Sequence, residues 1–114
     1  MNTILIPGEN PSGFVIYNFK FYVASYQTGN VVVISNNLIE SSKPSQCSSG
    51  LGGISVDPFG YFALICHLYG KVYIYDSSMS YTNKSIDYAL VLDARLDINN
   101  NLAICGGSNV TIYS

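Results

Sequence analysis

The chain has no tryptophan, a single histidine (His67) and few charges: Asp, Glu, Lys and Arg together make up 11% of its 114 residues, against about 25% in an ordinary soluble domain. Each shortage removes a class of function. One histidine and three cysteines (Cys47, Cys66 and Cys105), without a Cys-x-x-Cys spacing, do not make the several-donor set a zinc site needs. Five basic residues against seven acidic ones, none clustered, omit the electrostatic attraction that dominates nucleic-acid binding. No apolar run approaches the ~20 residues of a membrane-spanning helix. Met1 to Pro7 lacks the basic start of a signal peptide. No window repeats apolar residues at i, i+3, i+4 and i+7, so almost no helix is expected. The odd cysteine count implies no closed disulfide framework, and Cys66 and Cys105, at matching strand ends, read as small buried hydrophobes.

What is present is β-forming sequence, written three times. Gly29-Asn30-Val31-Val32-Val33-Ile34-Ser35 returns as Gly70-Lys71-Val72-Tyr73-Ile74-Tyr75-Asp76 and again as Ser108-Asn109-Val110-Thr111-Ile112-Tyr113-Ser114. The anchors Val31, Val72 and Val110 lie about 40 residues apart, the period of a repeat array. Each copy carries an earlier strand (Phe21 to Ser25, Phe62 to Cys66, Leu102 to Cys105), and Gly13 to Ile16 and Gly53 to Val56 precede the first two of these. The connecting turns hold Asp57-Pro58-Phe59-Gly60 in the second copy and Asn99-Asn100-Asn101 in the third, residues that preset or tolerate turn geometry. Fourth strands are fainter, at Thr3 to Ile6 and Ser85 to Leu90, while Ser41 to Gly50, with five serines and a proline, reads as a loop. Leu92, Ala94, Leu96 and Ile98 alternate with Asp93, Arg95 and Asp97, which predicts one apolar and one watered face. Strands of the first two copies are apolar on both sides and are expected to be covered on both.

On these residues the chain resembles the NHL and YVTN class of β-propeller repeats. The likeness is carried by Thr3 to Ile16, Phe21-Tyr22-Val23-Ala24-Ser25 and Gly29 to Ser35, then by Gly52 to Asp57 and Gly70 to Asp76. It implies an all-β, propeller-like array of about three four-stranded antiparallel blades, an incomplete ring filling residues 1–114, with repeats at approximately 3–37, 38–78 and 79–114. Propellers close with about four to eight blades. Further blades, from the same chain or another, are therefore expected as partners. The family includes ligand-binding scaffolds, lyases and lactonases, and a fold does not decide among them.

No catalytic, cofactor-binding or metal-binding set is readable, and no cofactor is expected. His67 would serve as a base or a ligand only with companions the sequence lacks; the plainer reading is a turn residue. Asp57, Asp76 and Asp97 sit in or near strand ends, and Asp57 and Asp76 read as turn formers that hydrogen-bond their own backbone. Gly13-Phe14 and Gly52-Gly53-Ile54 stand where lactonase-like propellers carry acidic metal ligands. Tyr26, His67 and Tyr69 occupy turns that the resemblance places on one rim, together with the turns at Glu9-Asn10 and Ser48 to Gly52, and tyrosine suits recognition of proteins or sugars. The sequence therefore reads as a non-catalytic binding or scaffolding module recognising a protein or small ligand; the alternative is a fragment of a lyase- or lactonase-type propeller enzyme whose catalytic residues lie in blades not present here. Asn83-Lys84-Ser85 and Asn109-Val110-Thr111 would accept glycans on Asn83 and Asn109 if the chain is exported.

Overall fold

A computed structural model describes residues 3–6 and 8–113. Pro7 of the first repeat and the closing Ser114 of the third lie outside the described residues. Eleven strands run in chain order: β1 (Pro11–Tyr17), β2 (Lys20–Ser25), β3 (Asn30–Ser35), β4 (Leu38–Pro44), β5 (Leu51–Val56), β6 (Phe62–Cys66), β7 (Lys71–Tyr75), β8 (Tyr81–Asp87), β9 (Val91–Leu96), β10 (Leu102–Gly106) and β11 (Asn109–Tyr113). They form three antiparallel meanders, β1-β2-β3-β4, β5-β6-β7-β8 and β9-β10-β11, and no described residue is helical.

Three expectations about fourth strands need correction. Leu38-Ile39-Glu40 and the first residues of the supposed loop, Ser41 to Pro44, form β4, hydrogen-bonded to β3 from Asn30↔Pro44 to Ser35↔Leu38. Ser85 to Asp87 belong to β8, the outer strand of the second sheet. Among the described residues the third sheet has three strands, not four, and Thr3–Ile6 pairs with no strand.

The sheets stack face against face. Between the first and second, Tyr22, Ala24, Val31 and Val33 meet Leu51, Ile54, Phe62, Leu64 and Tyr75. The Phe62 ring lies 4.7 Å from Tyr22 and 5.8 Å, edge-on, from Tyr17. Between the second and third, Ala63, Ile65, Val72 and Ile74 meet Val91, Ala94, Leu102 and Ile104. Strand periodicity explains this two-sided burial: Phe62 and Leu64 point to one neighbour, Ala63 and Ile65 to the other, and all four are fully buried. The first sheet departs from the expectation of two covered faces. Its β2 and β3 residues Val23, Val32 and Ile34 are shielded by Ile4 and Ile6, whereas Phe14 and Ile16 are each 61% exposed and Phe21 44%.

The turns repeat as closely as the strands. Asp57, Asp76 and Asp97 each accept two backbone N–H bonds on Oδ1, from Phe59 and Tyr61, from Ser78 and Ser80, and from Asn99 and Asn101. Each Asp carbonyl also accepts from a residue three positions on, Gly60, Met79 or Asn100, and all three of those have positive φ. The expected self-bonded turns at Asp57 and Asp76 are present, and Asp97 makes a third.

Candidate functional rim

The inner strands β1, β5 and β9 each contain one extra residue opposite the end of their partner. Pro11↔Ser25 is followed by Gly13↔Ala24, Leu51↔Cys66 by Gly53↔Ile65, and Val91↔Gly106 by Asp93↔Cys105. The bulged residues are thus Ser12, Gly52 and Leu92, spaced 40 residues apart. A bulge turns its side chain off the regular pleat. This overturns the expectation that Leu92 joins an unbroken apolar face with Ala94, Leu96 and Ile98: Leu92 is 63% exposed and Ile98, in the following turn, 68%, while Ala94 is buried.

The bulges gather on one rim with the turns that follow β2 and β6, and hydrogen bonds link them across the sheets. Tyr26 N–H donates to the Asn10 carbonyl at 2.8 Å, Gly50 N–H to the Tyr26 carbonyl at 2.7 Å, and His67 N–H to the Gly50 carbonyl at 2.9 Å. The His67 ring then reaches Leu92 of the third sheet, with Nε2 3.2 Å from its carbonyl oxygen. It lies over Gly52, where a Cβ would stand 2.6–2.7 Å from the imidazole atoms. The Ser12 hydroxyl donates to the Leu51 carbonyl at 2.7 Å. By its backbone bond, His67 is the positional equivalent of Tyr26.

The structure brings Tyr26, His67 and Tyr69 together around one segment, residues 45–50. Tyr26 and His67 bond to Gly50. The Tyr69 phenol is held below its usual pKa by hydrogen bonding with the Ser48 side chain and, less, with Ser49. Tyr26 and Tyr69 stay exposed, as does Leu68 between the two turn residues of the second sheet. The segment is fixed by a feature the sequence did not disclose: Cys47 and Cys66 form a disulfide, Cα–Cα 5.8 Å, both residues fully buried. Cys66 is therefore not a free buried hydrophobe. Nor does it match Cys105, because Val56↔Phe62 and Leu96↔Leu102 align Cys66 with Gly106, and Cys105 is a partly exposed free thiol. Gly29 (φ +74°) lies so close below the segment that a Cβ would overlap the Cys47 carbonyl.

At the first sheet's entry, the Glu9 carboxylate accepts from the Thr28 hydroxyl and from Asn30 Nδ2 at 3.0 Å. Burial alone would raise its pKa, but those hydrogen bonds outweigh it and hold the carboxyl below the ordinary glutamate value. Among the described residues no group of three or more His, Cys, Asp or Glu side chains is arranged to hold a metal ion. Asn83, in β8, and Asn109, the first residue of β11 and paired with Gly106 beside the β10–β11 turn, both stand exposed.

No protein-family model matches the sequence, and no curated protein does. Solved structures do. Streptogramin B lyase superimposes with a TM-score of 0.78 at 11% identity, over 96% of this chain and 41% of that one. Virginiamycin B lyase from Staphylococcus aureus gives 0.73 at 9% identity, over 93% and 41%. Kluyveromyces lactis Hsv2 gives 0.67 at 13%, over 92% and 33%. The fold is a partial β-propeller. Three blades lie side by side, and the chain spans about a third to two-fifths of the propellers it matches. The bulged inner strands and the turns carrying Tyr26, His67 and Tyr69 belong to one propeller rim.

Proposed function

We propose that the whole chain, 1–114, works as one non-catalytic binding or scaffolding module of the NHL or YVTN kind, recognising a protein or other ligand through the rim that bears Tyr26, His67 and Tyr69. One observation carries the reading: two exposed tyrosines and Leu68 surround a segment held by backbone hydrogen bonds and a buried disulfide. Aromatic contact area that is fixed beforehand loses little entropy on binding. The three turn aspartates use Oδ1 for their own backbones, and His67 is spent on a carbonyl of the next blade. Affinity capture with the chain and with Tyr26→Ala/Tyr69→Ala tests it. The double variant loses the captured partner while retaining the β-sheet circular dichroism; an unchanged partner set refutes the rim as the contact surface.

The second reading, a portion of a lyase-type propeller, draws on the likeness to streptogramin B lyase, which at 11% identity carries the fold and no chemistry. On this reading the catalytic residues lie in further blades beyond these three, so a longer open reading frame carrying inner-strand Glu, Asn and His residues would favour it, and a self-contained oligomer of this chain would favour the binding module. For the setting, the Cys47–Cys66 disulfide and the exposed Asn83 and Asn109 favour an exported, oxidising compartment. Intact mass of chain recovered from its native source, with or without glycan at those asparagines, decides the matter.

A further inference from the structure

The structure holds a strand-like segment without a sheet and a sheet without its fourth strand. Thr3–Ile6 pairs with no described strand, yet Ile4 and Ile6 pack on Val23, Val32 and Ile34 of the first blade. That is where an outer strand of a preceding blade belongs, for Ile86 and Tyr88, at the end of the second blade, likewise join the core shared with the third. At the other end of the chain, no described residue hydrogen-bonds to the outer edge of β11. In the second blade the corresponding place is filled by β8, whose Tyr81, with the adjoining Met79, packs into the core against the first blade. Beside β11 the equivalent space is a cavity of about 430 Å³, bordered by Ile74, Lys84, Ile86, Leu96, Leu102 and Tyr113.

The open flanks match each other in the same way. Phe14, Ile16 and Phe21 occupy the positions of Ile54, Val56 and Phe62, the side of the second blade that meets the first. Ala103, Val110 and Ile112 occupy the positions of Ala63, Val72 and Ile74, the side of the second blade that meets the third. Ala63 and Val72 are fully buried and Ile74 is 9% exposed, but Val110 and Ile112 are each 70% exposed. Each flank is thus one half of an interface the chain already makes twice. Phe14 replaces Ile54 on one flank, and Ala103 replaces Tyr22 on the other, so the bulkier flank meets the shallower one.

We infer that a second copy of this chain occupies both flanks: its Thr3–Ile6 pairs with β11 and fills the adjoining cavity, and its Phe14–Phe21 flank seats on Ala103, Val110 and Ile112. The same contact made in return closes two three-blade arcs into one six-blade ring, within the range that closed propellers span. A head-to-tail contact that closes leaves no exposed sheet flank and no edge for further growth. The flanks are separate from the rim, and the variants that test the one leave the other untouched.

Sedimentation of the unmodified chain over a wide concentration range, with hydrogen exchange read at β11, tests it. The expected result is a 24.8 kDa species, twice the 12.4 kDa chain, that dissociates on dilution. The β11 amides on its outer edge are protected in the large species and exchange freely in the small one. Phe14→Asp and Ile112→Asp each halve the mass while the circular dichroism stays that of the parent. A folded 12.4 kDa species at every concentration overturns the inference. So does a doubled species whose β11 amides exchange as fast as in the single chain, or a mass that climbs without a ceiling. Exchange and mass are both read on the unmodified chain, so the test holds even where a variant fails to fold.

Discussion

The Ser55 hydroxyl in β5 donates to the Ala94 carbonyl in β9 at 2.6 Å, 39 residues along the chain, inside the core where the second and third blades meet. A second bond between inner strands joins the first two blades, also 39 residues apart, from Ser12 at the β1 bulge to Leu51 in β5. Adjacent inner strands are thus joined by a side chain where no ladder connects them. Ser55 is 2% exposed, so Ser55→Ala leaves a buried carbonyl without its donor and costs about 1–3 kcal/mol. Ser12 lies in solvent reach, and Ser12→Ala costs about 0.5–1 kcal/mol. Urea unfolding of the two variants checks the ranking; equal midpoints would show that burial does not set the difference.

The Cys47–Cys66 disulfide ties the rim segment to the end of β6 across 19 residues. Closing a loop of that size restricts the unfolded chain by about 3 kcal/mol, so Cys47→Ser/Cys66→Ser lowers the unfolding midpoint markedly. Both sulfurs are buried, so a mild reductant acts slowly on the native protein. A thiol reagent titrates a single group, Cys105, before denaturation, and all three cysteines after reduction and unfolding. Gly29→Ala places a methyl against the Cys47 carbonyl at a left-handed backbone position, and the oxidised fraction after refolding falls with it. A Gly29→Ala chain that oxidises fully would show the segment to be more yielding than its contacts indicate.

What the sequence disclosed and what it hid follow from one difference. Val31 to Ile34 and Phe62 to Cys66 are buried on both faces, so selection for apolar, β-branched residues left a pattern that could be read. β4 has no residue in the buried class; as an outer strand it needs no apolar face, so Ser41, Ser42 and Lys43 look like loop. The bulges at Ser12, Gly52 and Leu92 break the period of two from which an unbroken apolar face on β9 was expected. The paired glycines at 52 and 53 were the one local hint of them. Cysteine pairing depends on which strand ends meet in space, and three cysteines leave it open. The tyrosine turns, and Ser48 to Gly52 beside them, could be placed on one rim through the propeller resemblance; the Cys47–Cys66 tie that fixes residues 45–50 could not be read.

Phe19 occupies the second position of the two-residue turn between β1 and β2, next to Asn18, with φ of 65° and 52°. Both positive values define a type I′ hairpin turn, for which Asn-Gly is the favoured pair. Phe19 is 96% exposed and therefore gains no burial in return for its strained backbone. Phe19→Gly relieves about 1 kcal/mol of that strain and raises the thermal midpoint. A lowered midpoint would mean that Phe19 is covered in solution, and solvent quenching of a Trp placed there reports such cover directly.

Glu9 makes the stability of the amino-terminal entry dependent on pH. Its carboxylate is partly shielded, which favours the protonated form, yet the bonds from Thr28 and Asn30 prevail and leave the folded pKa below the ordinary value. A depressed acid contributes stability that is complete above its unfolded pKa and is lost as pH falls through the folded one. The parent chain therefore loosens between the ordinary glutamate range and lower pH, beginning at the contact between residues 9–10 and the turn at 26–30. Glu9→Gln removes that part of the acid limb while keeping the amide's bulk, so the difference in stability between parent and variant narrows steadily on acidification. Hydrogen exchange at Tyr26 and Asn30, followed from neutral to acid pH, checks it. A parent–variant difference that stays constant across that range would assign the contact's stability to neutral hydrogen bonding instead of to the charge.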